Sequence, residues 1–159
     1  MIVLGIDPGT TRIGFGVIRA RGNMFQPLGH GVISNAGRDR AYDFNNTARA
    51  LTELVEKYKP SVASVERLFF SKNQKTAMSV SEMRGVILLV LANLSIPVRE
   101  FTPLQVKQHI CNYGLADKKQ VQKMVRLLLN LKEEITQDDA ADALALAICG
   151  ALAPSTGKD

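Results

Sequence analysis

Residues 1–18 read MIVLGIDPGTTRIGFGVI. Ile2 to Ile6 is a short apolar run that stops at Asp7-Pro8-Gly9, the signature of a strand entering a turn. Ile13, Phe15 and Val17 then alternate with Gly14, Gly16 and Ile18, which predicts a second strand paired to the first as a hairpin. The first strand is apolar throughout, so it reads as central and buried, and it ends in a carboxylate.

The remaining elements extend outward from this pair. Leu28 to Ser34 supplies a third strand. Tyr42, Ala48, Leu51, Leu54, Val55 and Tyr58 recur at helical spacing between Asp39 and Tyr58, and Pro60 closes that helix. Ser61 to Glu66, SVASVE, is a short strand that also ends in a carboxylate. A loop with Arg67, Phe69, Phe70, Lys72 and Asn73 leads into a long helix from about Thr76 to Asn93. Pro97 to Phe101 is a fifth strand. Thr102-Pro103 opens a helix with a capping hydroxyl and proline at the first helical position. Asp117 caps a helix running to Leu131, and a last helix spans Asp138 to Leu152. This pattern predicts one α/β layered domain over residues 1–153, with residues 154–159 as a frayed, flexible tail.

Composition narrows the function. The chain has 159 residues, 46% of them apolar, which suits a single domain with a proper core. The N-terminus has no basic leader and meets Asp7 early, so a signal peptide is not expected. The longest apolar run, Val86 to Leu94, is short of the ~20 residues a bilayer needs. A soluble, cytoplasmic protein with no membrane partner is expected. Cys111 and Cys149 stand far apart and read as buried free thiols, and His30 and His109 are isolated, so zinc sites and Ser-His-Asp triads find no support. Net charge is +5. From Arg99 to Arg126, Arg99, Lys107, Lys118, Lys119, Lys123 and Arg126 oppose only Glu100 and Asp117. That local excess suits either a phosphate-rich partner or a solvated helix face.

Four acids form the candidate centre. If the first strand and the strand of Glu66 are parallel neighbours, Asp7 and Glu66 emerge at one sheet edge, where open α/β sheets place ligands. Asp139 and Asp142 share a face of the last helix, and Asp142 lies in an almost wholly apolar stretch where a carboxylate needs a partner or a metal. Oxygen donors of this kind suit magnesium, which keeps several waters and accepts phosphate oxygens. Each acid also has a plain structural use. Asp7 suits an Asx-Pro-Gly turn, Glu66 an exposed strand end, Asp139 a capping box with Thr136, and Asp142 an ion pair with a lysine.

The motifs GIDPGTTRIGFGVI, VERLFFSKNQKTA, Arg84-Gly85-Val86, Val106-Lys107-Gln108, YGLADKKQVQKMV and DDAADALALAIC occur in an order and spacing that resembles the RuvC-type crossover-junction (Holliday-junction) endonucleases. The resemblance covers residues 1 to about 150. It implies a ribonuclease-H-like fold with a five-stranded mixed sheet flanked by helices. It also implies a homodimer that nicks two strands of four-way junction DNA symmetrically, in recombination and repair. Mg2+ or Mn2+, two ions per site, would be the cofactor, and a branch-migration helicase complex a partner. On this resemblance Asp7, Glu66, Asp139 and Asp142 are the catalytic, metal-holding acids, and Asp138 lies just outside the motif. Phe69 matches an aromatic that stacks on unpaired junction bases, with Lys72 and Asn73 beside it in the DNA-binding loop. Lys107 and Lys118 match residues that contact the DNA backbone, and Lys119 beside Lys118 is expected to make a phosphate contact as well. The chain departs from the family pattern at Ser81-Glu82-Met83 and at Asn112. The long helix, apolar from Val86 to Leu94, is the candidate dimer face, unless it merely packs on the sheet.

Two other readings compete. An actin- or sugar-kinase-type ATPase shares the Asp-x-Gly-Thr loop but needs two domains and a second phosphate loop, and no Walker motif is present. A junction-binding module without chemistry would not need all four acids.

Overall fold

The computed structural model describes residues 1–68 and 74–154, with only the backbone for 74 and 75. Five strands form one mixed sheet. They are β1 (Ile2–Asp7), β2 (Arg12–Arg21), β3 (Met24–Ser34), β4 (Val62–Glu66) and β5 (Val98–Phe101), in the order β3-β2-β1-β4-β5. β1 pairs antiparallel with β2 (Asp7 opposite Gly14) and parallel with β4 (Ile6 opposite Val65), so Asp7 and Glu66 leave the sheet at the same edge. The helices are α1 (Arg40–Tyr58), α2 (Gln74–Asn93), α3 (Pro103–Cys111), α4 (Lys118–Leu128) and α5 (Asp138–Leu152).

The period of two along the strands sorts side chains between two cores. Leu4, Ile6, Ile13, Val17, Ala63 and Val65 face α1 and α2, meeting Leu51, Val55, Met83, Ile87 and Leu91. Val3, Ile18, Val62 and Phe101 face the other way, onto α3, α4 and α5. α5 is alanine-rich and almost wholly buried from Ala140 to Gly150. It approaches the sheet so closely that a Cβ on Gly5 would run into the Ala143 carbonyl, and one on Gly14 into the Asp139 carbonyl. Two bare backbones in contact let this helix carry its aspartates down to the sheet edge.

Several boundaries differ from those expected of the sequence. β3 begins at Met24, because the hairpin turns early on Gly22 at φ 58°, and not at Leu28. α4 ends at Leu128 and not Leu131. Asn130 is left-handed there (φ 49°), and Arg126 folds back to donate to the Leu131 and Lys132 carbonyls. On α1 the buried stripe is Asp43, Thr47, Leu51 and Val55, which leaves Tyr42 exposed. The starts of α1, α3 and α4 are as expected, whereas α2 begins at Gln74, ahead of Thr76. Asp39 accepts from two backbone amides at the head of α1, and Thr102-Gln105 and Asp117-Gln120 form capping boxes on α3 and α4.

The segment Thr76–Asn93 is, by length and composition, apolar enough to span a bilayer. The run from Val86 to Leu94 alone understates it. Met83, Ile87 and Leu91 nonetheless pack into the core, which marks α2 as a sheet-covering helix; Leu89 and Met78 remain exposed. Both cysteines are free. Cys149 is buried, and burial pushes its thiol up to about 12; Cys111 is half-buried. Beyond Pro154, the expected tail lies outside the described residues.

Candidate active site

The site begins with backbone alternation. On β1, Gly5 and Asp7 face α5; on β4, Ser64 and Glu66 do the same; on β2, Arg12, Gly14 and Gly16 do. α5 enters over this edge. Asp139 lies above Gly14, and Asp142 is one turn further along the same helix face. The loop after Asp7 is held from behind. The Asn35 amide nitrogen donates to the Thr10 carbonyl (3.2 Å) and the Thr47 hydroxyl (2.9 Å), and its backbone amide donates to Thr11 (2.8 Å).

Electrostatics bind the four acids into one unit. Asp7 is driven up to about 8 from 3.8, first by burial and then by the carboxylates of Glu66, Asp142 and Asp139. Glu66 is raised by burial and by Asp142. Asp142 is raised by burial, although Lys118 pulls the other way. Partial burial lowers Lys118, but Asp142 and Asp138 outweigh it and its ammonium titrates higher than usual. A cluster with too much negative charge for its own cations stays partly protonated until a positive charge enters.

Two cations engage the acids of α5. Arg12 Nε donates to Asp139 Oδ2 at 2.7 Å. Lys118 Nζ lies 3.2 Å from Asp142 Oδ2 and 3.3 Å from Asp138 Oδ2. With these partners, no three His, Cys, Asp or Glu side chains among the described residues converge on one ion position. The donor set nonetheless fits a hard divalent cation. It offers carboxylate oxygens only, and burial raises the proton affinity of three of the four carboxylates, Asp7, Glu66 and Asp142.

Glu66 has its own support. Arg84 on α2 donates from Nε to the Glu66 carbonyl (3.0 Å), and its other end stands 3.0 Å from Glu100 Oε1, at ion-pair distance though not aligned as a hydrogen bond. Arg67 reaches the second Glu100 oxygen at 3.3 Å. Beside the acids a cleft of about 210 Å³ is lined by Glu66, Lys107, Lys118 and Asp142 over an apolar floor that includes Val106 and Leu146.

The structure thus gathers Asp7, Glu66, Asp139, Asp142, Lys107 and Lys118. Lys119 instead lines a groove of about 460 Å³ on the flank of α4 with Lys123 and Arg126. Asp138 is exposed at the start of α5, its pKa lowered by hydrogen bonds from Gln122 and Lys118. Gln137 caps α5 without a side-chain bond, so Asp139 makes no capping box with Thr136. Asp142 does pair with a lysine, as its structural use allowed. Phe69, Lys72 and Asn73 lie outside the described residues. Arg12, Arg84 and Glu100 join the site without being expected there from the sequence. For Arg12 a signal exists, since it shares the period-two face of Gly14 and Gly16.

A family model described as crossover junction endodeoxyribonuclease RuvC matches residues 3–150. Curated relatives with that description include proteins from Caldanaerobacter subterraneus subsp. tengcongensis (45% identical, 94% of this chain and 91% of that one) and Desulforamulus reducens (47%, 98% and 96%). Among solved structures, T. thermophilus RuvC in complex with Holliday junction substrate superposes with TM-score 0.89 at 32% identity, covering 94% of this chain and 92% of that one. The yeast mitochondrial Holliday junction resolvase Ydc2 shares the fold at TM-score 0.64 and 15% identity, covering 94% and 78%.

The sheet order and these likenesses define the class, a nuclease of ribonuclease-H-like fold. Within it, the chain belongs to the RuvC family of crossover junction endodeoxyribonucleases, which are metal-dependent.

Proposed function

We propose that this protein resolves four-way (Holliday) junctions in recombination and repair by symmetric nicking, through one nuclease domain spanning residues 1–153. The observation that carries the proposal is the placement of Asp7. It is a buried carboxylate at the end of the central strand, with Glu66, Asp139 and Asp142 pressing on it electrostatically. The T. thermophilus relative, whose structure holds a junction, supports the choice of substrate.

Asp7, Glu66, Asp139 and Asp142 would hold two Mg2+ or Mn2+ ions, which when bound supply an activated water and offset charge on the departing 3′ oxygen. The protein's own groups do the rest. Asp7, most central of the acids and held protonated by burial and its neighbours, would give up its proton when positive charge enters the site and become a ligand. Glu66 is fixed at its strand end by Arg84. Lys107 and Lys118, at the cleft mouth, and Lys119 on the flank of α4 take backbone phosphates, which position DNA without reading sequence. Phe69, with Lys72 and Asn73, would stack on and hold unpaired bases at the branch point; base–aromatic stacking is worth ~1–3 kcal/mol per base.

A four-way junction has approximate two-fold symmetry, which an isologous dimer matches with two equivalent sites. The outer face of α2, where Leu89 and Met78 stay exposed, is the proposed dimer face. Action in the cytoplasm alongside a branch-migration motor completes the reading.

The test is incubation with a synthetic four-way junction and with a linear duplex of the same sequence, with and without Mg2+. Paired nicks near the branch point, requiring Mg2+ and absent from the duplex, are expected. Equal cutting of both substrates, or none, would contradict the proposal.

A further inference from the structure

Arg12 opens β2, and its backbone is fixed in the sheet by pairing with Ser34. It lies on the same strand face as Gly14, which sits directly beneath the Asp139 backbone. Its guanidinium therefore rises beside the start of α5 and donates from Nε to Asp139 Oδ2 at 2.7 Å. The Arg12 side chain is 52% exposed and that of Asp139 31% exposed. The bond spans 127 positions of sequence, so the fold makes it and no local turn does. It is the only ion pair of Asp139 among the described residues, and Asp139 is one of the three carboxylates acting on Asp7.

We propose that Arg12 is a positioning residue that competes with the metal for Asp139 and passes to a DNA phosphate when the metal enters. This rests on the reading of Asp139 as a metal-holding acid. A guanidinium keeps its charge at any working pH. Displaced from Asp139 it stays charged and half-exposed, and DNA lying on this face offers it a backbone phosphate as a new charge-assisted partner. Its long, half-exposed side chain swings without disturbing the strand that anchors it. Arg12 thereby makes metal entry and DNA binding favour one another. DNA draws the guanidinium off Asp139, and metal frees it for DNA, a coupling that is reciprocal by linkage.

The test has two readouts apart from cleavage. Calorimetric titration of the DNA-free protein with Mn2+ compares wild type, Arg12→Ala, Arg12→Lys and Asp7→Asn. Arg12→Ala should bind Mn2+ about two- to fivefold more tightly, the range set by a partly exposed ion pair. Arg12→Lys, which keeps the charge, should stay near wild type, and Asp7→Asn should bind weakly. Anisotropy of a labelled junction, in EDTA and in Ca2+, then measures the coupling. The gain in junction affinity from Ca2+ should be smaller for Arg12→Ala than for wild type. Unchanged or weaker Mn2+ binding in Arg12→Ala, with binding lost in Asp7→Asn, overturns the role of Arg12 alone. No Mn2+ binding by any of the proteins overturns the metal reading and this inference together.

Discussion

Replacing Asp7 with Asn removes the anion that the fold accommodates worst, so the metal-free protein should become more stable at neutral and alkaline pH as it loses activity. Asp7 titrates at about 8 in the folded chain against 3.8 as a free side chain, first because it is buried and then because Glu66, Asp142 and Asp139 surround it. The folded state therefore holds this proton more tightly than the unfolded state. Its stabilising contribution is complete below the ordinary carboxylate range and is lost as pH rises toward 8. The loss is at most about 1.4 kcal/mol for each pH unit in that window, and a few kcal/mol across it. Asparagine has no proton to lose. Urea denaturation in EDTA at pH 5, 6, 7 and 8 should show an advantage of Asp7→Asn over wild type that is already present at pH 5 and grows at each step to pH 8. Glu66 and Asp142, also raised, leave the variant a shallower slope of the same sign. Mn2+ at pH 8 should restore the wild type and do little for the variant. Parallel pH profiles for the two proteins would refute the argument that Asp7 is a desolvated, crowded carboxylate.

Three further outcomes follow from the geometry. Gly14→Ala drives a methyl into the Asp139 carbonyl and must lift α5 from the sheet edge; a loss of about 1–3 kcal/mol on denaturation, with cleavage reduced, is expected. Charge reversal at Lys107 or Lys119 should weaken junction binding and reduce its log–log salt slope by roughly 0.9 for each phosphate no longer neutralised, read by anisotropy across salt concentrations. Asp139→Asn should impair cleavage more than Asp138→Asn, because Asp138 is the more exposed of the two and is occupied by Gln122 and Lys118; the reverse order would shift the register of the acidic motif by one.

Much of this was legible in the sequence for local reasons. An apolar run ending in Asp7-Pro8-Gly9, another ending in Glu66, and the capping residues Asp39, Thr102 and Asp117 each announce themselves within a few positions. The rest depended on distance. The early hairpin turn at Gly22 and the retreat of α4 from Leu131 arise from turn conformations that side-chain periodicity does not encode. Asp43 and Thr47 fall outside the apolar spacing that marks α1 in the sequence, yet they are buried in the network behind the Asp7 loop, where Asp43 accepts from the Gly37 amide at 3.0 Å. The ion pairs of Arg12 with Asp139 and of Arg84 with Glu100 join residues from different elements. Lys119 seemed equivalent to Lys118, but one residue is about 100° on a helix, and that rotation sends it to a different groove.

The measurement closest to the central claim pairs cleavage with binding for the carboxylate variants. Asp7→Asn, Glu66→Gln and Asp142→Asn are each mixed with a labelled four-way junction in Mg2+, and bound and cut fractions are read from the same samples. Retained junction binding with cutting lost in all three is the predicted result. Near-normal cutting by Asp7→Asn would contradict it, since among the described residues no other carboxylate ends the central strand β1.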